Sequence, residues 1–350
     1  MDASKMTGEK RMNFYDLTPA ELESIFKRKA YENYRLKQIF NWVYGRDVIN
    51  AEKMKNLPQS IRDEITEIFT FEIPKIVKVM NSSDGSSKYI FKALDETAFE
   101  SVLIPDGKKL TLCISTQAGC RMNCSFCYTG KQGLKRNLAT SEIVSQYILV
   151  RRIVEQQITN IVFMGMGEPF DNIMNLKKAI DILTSPYTLS FSPRRITVST
   201  CGLIDEMKNF CQWAPRVNIA ISLNSPFDET RSKLMPINKR YSLKELITAC
   251  KSINLPNRRR ITFEYIMLKG INDRKEDIRE LKKILRNIKC KVNLIKFNSY
   301  PGCKYSPSSD EDMKEFADLL RTSGITVMIR KSRGKDIMAA CGQLGKAVSF

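Results

Sequence analysis

Three cysteines, Cys120, Cys124 and Cys127, stand four and then three positions apart and run into Tyr128-Thr129-Gly130. Soft thiolates this close in sequence can share one metal site, and three of them on a four-iron cluster leave one iron open to a substrate. A structural zinc site wants four nitrogen or sulfur ligands. The chain has no histidine and no second C-x-x-C to complete that tetrahedron. The spacing therefore points to an iron–sulfur cluster, with zinc or a chance grouping as the plainer alternatives.

The charge balance narrows the partner. Fifty-seven Lys and Arg against 38 Asp and Glu leave a formal charge of +19. Such an excess favours a polyanion, RNA or DNA, because each phosphate neutralised releases counterions; a merely solubilising surface is the alternative. Ten cysteines in 350 residues are too dilute for a secreted disulfide scaffold, which suits metal or redox chemistry better. The first residues carry no apolar leader and no later run of about 18 apolar residues could span a bilayer, so a soluble, cytoplasmic protein is expected.

Along the chain, residues 1 to about 12 are polar and expected to fray. Thr18-Pro19-Ala20-Glu21 combines a capping-box spacing with proline at the first helical position. Further helices are expected near Tyr34 to Tyr44 and after Pro58, where Ile61, Ile65 and Ile68 share a face. The period then changes to two, predicting strands at Ile76 to Met80, Lys88 to Leu94, Phe99 to Ile104 and Leu110 to Ser115. Beyond these, strands near Asn160, Arg195, Asn218, Ile261 and Val292 alternate with amphipathic helices, which predicts a parallel sheet; Thr326 to Ile329 would add an edge strand.

The cysteine spacing, with Phe126 ahead of the third cysteine, resembles the radical S-adenosylmethionine (SAM) superfamily. From about Tyr34 to Gly345 the chain resembles the RlmN/Cfr family of ribosomal RNA adenine methyltransferases. The similar stretches are Leu112-Cys113-Ile-Ser-Thr-Gln117, Thr129-Gly-Lys-Gln-Gly133, Phe163-Met-Gly-Met-Gly-Glu-Pro169, Leu234-Met-Pro-Ile-Asn238 and Ala339-Ala-Cys-Gly-Gln-Leu344. The resemblance implies an α/β fold, a partial (β/α)6 TIM-like barrel, with residues 1–75 as a helical RNA-binding accessory domain, 76–109 as a small β linker and 110–350 as the barrel with a C-terminal cysteine segment.

It also implies a site. Cys120, Cys124 and Cys127 would hold one [4Fe-4S] cluster. Gly167, Glu168, Ser199, Ser222, Leu223, Asn224 and Asn298 would line the SAM site at the C-terminal ends of the strands, where parallel β/α barrels bind ligands. Asn224 stands where the family commonly has histidine; it keeps a donor and an acceptor but cannot titrate near neutrality. Carbon-2 of adenine is electron-poor and cannot attack a SAM methyl group directly. By resemblance one SAM methylates Cys341, a second is cleaved to a carbon radical that activates the methylated Cys341, Cys113 resolves the covalent RNA adduct through a disulfide with Cys341, and Glu100 takes the ring proton. Taken singly, each of these residues has a commoner structural role: a lone cysteine is usually a buried inert thiol, and a strand carboxylate is usually solvated.

The implied substrates are adenosine 2503 of 23S ribosomal RNA and, for some members, adenosine 37 of transfer RNA. An external electron donor such as flavodoxin, a monomeric state and the absence of a membrane partner come with the family. Arg258-Arg259-Arg260, Lys131, Lys135, Arg136 and Arg330-Lys331-Ser332-Arg333 are candidate phosphate contacts. Two other readings compete. C8 methylation of adenine would share the cluster and both cysteines, although Gly167-Glu168-Pro169 and Arg330 to Gly334 look more like the C2 enzymes. A non-catalytic RNA-binding protein with a structural metal would leave Cys113 and Cys341 without a role.

Overall fold

The computed structural model describes residues 11–29 and 31–345. The stretch expected to fray lies outside the described residues up to position 10; Met12 itself pairs in parallel with Phe69. Two compact units divide the chain.

The first unit comprises the described residues up to Pro74 together with 139–148 and 174–192. Its opening helix, Pro19–Arg28, starts on the expected capping box: Glu21 N–H donates to Thr18 Oγ1 at 3.2 Å and Thr18 N–H to Glu21 Oε2 at 2.8 Å. The helix Asn33–Phe40 stops short of the expected Tyr44. There Arg46 N–H reaches back five residues to Asn41 C=O, and Asn41–Gly45 widens into a π turn. The helix Gln59–Ile68 buries Ile61 and Ile65. Aromatic packing holds this unit: Phe14 meets the rings of Phe40, Tyr44, Phe69 and Phe71 at 6.3, 6.0, 5.4 and 5.2 Å.

The second unit is built on one ten-stranded sheet. In chain order the strands are β1 (Lys75–Asn81), β2 (Ser87–Lys92), β3 (Ala98–Asp106), β4 (Lys109–Cys113), β5 (Asn160–Phe163), β6 (Ile196–Thr200), β7 (Asn218–Ser222), β8 (Ile261–Met267), β9 (Cys290–Lys296) and β10 (Thr326–Arg330). Their order in space is their order in sequence. β1 to β4 pair antiparallel, and β4 to β10 run parallel. This is the α/β barrel architecture the sequence implies, six parallel strands with β10 added at the edge. The strands of residues 76–109 belong to that same sheet, because β3 hydrogen-bonds directly to β4.

Helices Thr140–Ile153, Ile173–Thr184, Ile204–Trp213, Leu243–Ser252, Lys275–Ile284 and Asp310–Arg321 connect the parallel strands, as the alternation predicts. The features without a sequence forecast include the antiparallel pair Gln117–Cys120 with Gly133–Asn137 and the short helix Asp228–Leu234. Among the described residues no helix is long and apolar enough to cross a membrane.

Candidate active site

The three cysteines of the C-x3-C-x2-C stretch sit on a loop fixed at both ends. Cys120 does not follow the first barrel strand directly; it closes the short strand Gln117–Cys120, paired to Gly133–Asn137. Gly119 makes that pairing possible: at φ +78° a Cβ there would lie 2.0 Å from Gly133 C=O. Cys127 N–H closes a turn onto Cys124 C=O at 3.0 Å, and Ser125 N–H donates to Leu234 C=O at 2.9 Å.

The C-terminal segment lies against this loop. Tyr128 N–H donates to Gly342 C=O at 2.7 Å, and Thr129 Oγ1 to Leu344 C=O at 2.6 Å. These bonds bring Cys341 to the cysteine loop although the two are more than 200 positions apart in sequence.

A cavity of about 650 Å³ opens at this point. Its wall takes residues from β3 through β10, so the sheet curls around it. Cys113, Cys120, Cys124, Cys127, Gly167, Glu168, Ser199, Ser222, Asn224, Asn298 and Cys341 all line it. Of the residues expected at the site, Leu223 and Glu100 stand outside this lining. Leu223 is buried, and its peptide groups are taken by Glu264 C=O and by Arg231.

Glu100 is also buried. Its Oε2 accepts from Gly345 N–H at 3.1 Å and lies 3.7 Å from Lys88 Nζ, while Oε1 has no partner. Burial raises its pKa against the opposing pull of Lys88, and burial lowers that of Lys88.

The loop of Gly165 and Gly167 packs against the chain itself. A Cβ on Gly165 would meet Ser115 Oγ at 2.6 Å, and one on Gly167 would meet Gln117 Cβ at 2.6 Å. Glu168 follows, with Oε1 accepting from Phe170 N–H at 3.2 Å and Oε2 from Cys201 N–H at 2.8 Å. Burial raises its pKa in spite of these donors. Asn224 adopts φ +56°, a conformation asparagine tolerates better than most residues. Its Oδ1 accepts from Ile266 N–H at 2.8 Å and its Nδ2 faces Met235 Sδ at 3.2 Å. Asn298 is buried with Oδ1 unpartnered, a free acceptor in the cavity wall that fits a donor group such as an amine.

The thiols are free and electrostatically close. Burial pushes Cys120 up to about 12, and Cys124 well above its ordinary value, with Cys127 adding to both shifts. Without a metal these groups stay protonated; coordination would deprotonate them. Among the described residues no three His, Cys, Asp or Glu side chains converge on a single-ion position. Three mutually interacting thiols on one cavity wall suit a cluster that presents a separate iron to each sulfur. Burial and the neighbouring Cys341 push Cys113 up to about 12 as well.

Sequence reasoning missed two polar groups here. Glu264, in β8, lines the cavity and holds Asn293 at 2.9 Å. Arg231, in the helix Asp228–Leu234, is fully buried behind the ends of β6 and β7. In the sequence Arg231 lies between Glu229 and Lys233 and reads as a solvated helix face. Only its three-residue distance from Leu234-Met-Pro-Ile-Asn238 hints otherwise.

Comparison with known proteins agrees with this geometry. The sequence model of the radical SAM superfamily matches residues 114–283, and that of the ribosomal RNA large subunit methyltransferase N-terminal domain matches residues 12–71. The dual-specificity RNA methyltransferase RlmN of Bdellovibrio bacteriovorus is 45% identical over 335 residues, covering 95% of this chain and 84% of its own. That of Syntrophus aciditrophicus is 43% identical, covering 97% and 98%. The crystal structure of a radical SAM methyltransferase from Sphaerobacter thermophilus superposes with a TM-score of 0.88 at 39% identity, over 95% of this chain and 99% of that one.

Proposed function

Because the chain belongs to the RlmN family of radical SAM RNA methyltransferases, we propose that it methylates C2 of adenosine in RNA. Its substrates would be adenosine 2503 of 23S ribosomal RNA and adenosine 37 of transfer RNA. The observation that carries the reading is the single cavity lined by Cys120, Cys124, Cys127, Cys113 and Cys341, with the unpartnered acceptor of Asn298 and the carboxylate of Glu168 in the same wall. A non-catalytic RNA-binding protein with a structural metal would leave Cys113 and Cys341 without a role.

Cys120, Cys124 and Cys127 would hold a [4Fe-4S] cluster, with SAM held by Gly167, Glu168, Ser199, Ser222, Asn224 and Asn298. Leu223 would contribute by packing behind Ser222. When bound, the cluster and SAM supply the electron and the carbon-radical chemistry that an electron-poor ring carbon requires.

Cys341 would first take a methyl group from SAM through its thiolate, releasing S-adenosylhomocysteine. It would then carry that carbon to adenine C2. Glu100 would accept the ring proton; its burial-raised pKa and free Oε1 support this role. Cys113 would release the methylated base by forming a disulfide with Cys341, which an external reductant must reduce before the next turnover. The electron would come from a donor such as flavodoxin. The enzyme would act as a cytoplasmic monomer.

The test is anaerobic incubation of reconstituted protein with SAM, a reductant and unmodified 23S ribosomal RNA fragments. Mass spectrometry then locates any new methyl group. A methyl at C2 supports the proposal, and one at C8 replaces it with the sister activity.

A further inference from the structure

The largest fully buried side chain among the described residues is a charged one, Arg231. Its guanidinium donates to four oxygens, and all four are neutral. Nε reaches Leu223 C=O at 3.1 Å, Nη1 reaches Asn238 Oδ1 at 2.6 Å, and Nη2 reaches Cys201 C=O at 2.8 Å and Ser222 C=O at 3.1 Å. No carboxylate is among these partners. Asp228, in the same helix, accepts at its Oδ1 from Leu243 N–H at 2.8 Å. These hydrogen bonds satisfy the donors without neutralising the guanidinium; the Asp228 carboxylate pulls on its charge but makes no bond to it, and a buried charge without a bonded counter-ion is costly.

Arg231 stands between two parts of the site. Through Nη2 and Nε it ties the end of β6 to the end of β7, where Ser199, Ser222 and Asn224 face the cavity. The same short helix holds the cysteine loop at its other end. Leu234 C=O accepts from both the N–H and the Oγ of Ser125, at 2.9 and 3.3 Å, between Cys124 and Cys127. Met235 N–H closes onto Arg231 C=O at 2.7 Å, so the two grips share one turn of backbone.

We infer that Arg231 is a positioning residue that locks the cysteine loop to the SAM-facing strand ends and supplies the buried counter-charge for an anionic cluster on Cys120, Cys124 and Cys127. A four-iron cluster held by three thiolates carries net negative charge, more so when reduced. A fixed cation beside it favours the reduced form and raises its reduction potential. As a thiolate on the cluster, Cys124 would be an anionic neighbour of the guanidinium, beside the Asp228 carboxylate. The inference rests on the reading that these cysteines hold a cluster.

The test uses reconstituted holoprotein and needs no RNA. Reduction potential is read by spectroelectrochemistry, and SAM affinity by equilibrium binding, for the parent, Arg231→Lys, Arg231→Gln and Asn238→Asp. Arg231→Gln should lower the potential and weaken SAM binding at least tenfold. Arg231→Lys, which keeps the charge but not the fork, should hold the potential near the parent value while still weakening SAM binding. Asn238→Asp keeps the arginine and the side-chain shape while neutralising the cation, and should lower the potential; it also serves if the Arg231 variants fail to fold. An unchanged potential in Asn238→Asp, or an equal shift in Arg231→Lys and Arg231→Gln, overturns the inference and leaves Arg231 as packing. Failure of the parent protein to hold iron would overturn the cluster reading itself, a separate and distinguishable result.

Discussion

Cys341 and Cys113 reach one cavity from opposite ends of the barrel sequence, and the chemistry proposed for them separates their roles. Cys341→Ala is expected to leave RNA binding intact and to abolish methyl transfer, read as loss of labelled methyl from SAM into RNA. Cys113→Ala should still load and transfer the carbon but fail to release the base. A covalent protein–RNA species should then accumulate on denaturing gels, and a variant that turns over freely would remove Cys113 from the resolving step. Glu100→Gln is expected to bind RNA normally and to slow turnover by about 10²- to 10⁴-fold, the usual contribution of a positioned acid or base. Full methylation by that variant would take Glu100 out of the mechanism. Glu100 stands behind the C-terminal segment that bears Cys341, joined to it through Gly345 N–H.

At the scale of elements, the cysteine hairpin and the C-terminal segment decide whether the site assembles. Gly119→Ala would drive a methyl group into the backbone of Gly133. We expect it to cost about 1–3 kcal/mol in chemical denaturation, and to lower the iron bound per chain after reconstitution. The turn between β1 and β2 tethers the other side of the segment, since Asp84 Oδ2 accepts from Gly334 N–H at 2.8 Å. Partial burial works against the Asp84 carboxylate, yet the Gly334 and Ser86 N–H donors outweigh it and hold its pKa down at about 2. The folded-state value is depressed, so the tether's contribution is complete above the ordinary aspartate range near 3.8 and is lost as pH falls toward 2. Asp84→Asn should flatten the acid limb of a stability–pH curve in that window; an unchanged curve would mean the tether carries no weight.

Much at this scale was legible beforehand, because period and capping are local. The box at Thr18 and Glu21, the period-two strands after residue 75 and the strand–helix alternation of the barrel need only neighbouring residues to be read. What stayed hidden depends on contacts distant in sequence. Nothing near Arg231 announces four oxygens from three other segments, and Gln117–Cys120 becomes a strand only because Gly133–Asn137 returns to pair with it. The site residues themselves came largely from family motifs. Leu223 belongs to such a motif yet faces the core, a distinction the motif cannot make.

For the whole molecule, the formal charge of +19 sets the terms of RNA binding. Affinity for RNA should fall steeply and linearly in log–log form as salt rises, with a slope of about −0.7 to −0.9 per phosphate contacted. Replacing Arg330, Lys331 and Arg333, which line the cavity, should make that slope shallower. An unchanged slope would place the phosphate contacts elsewhere. The central claim is that this cavity methylates an adenine carbon by way of a cysteine. The measurement that tests it most directly is mass spectrometry of an unmodified 23S ribosomal RNA fragment, after anaerobic turnover with SAM and a reductant, run beside the Cys341→Ala variant. A new methyl group is expected at C2 of adenosine 2503 with the parent protein and none with the variant. Methylation by Cys341→Ala, or none by a parent protein that holds its cluster and binds the RNA, would contradict it.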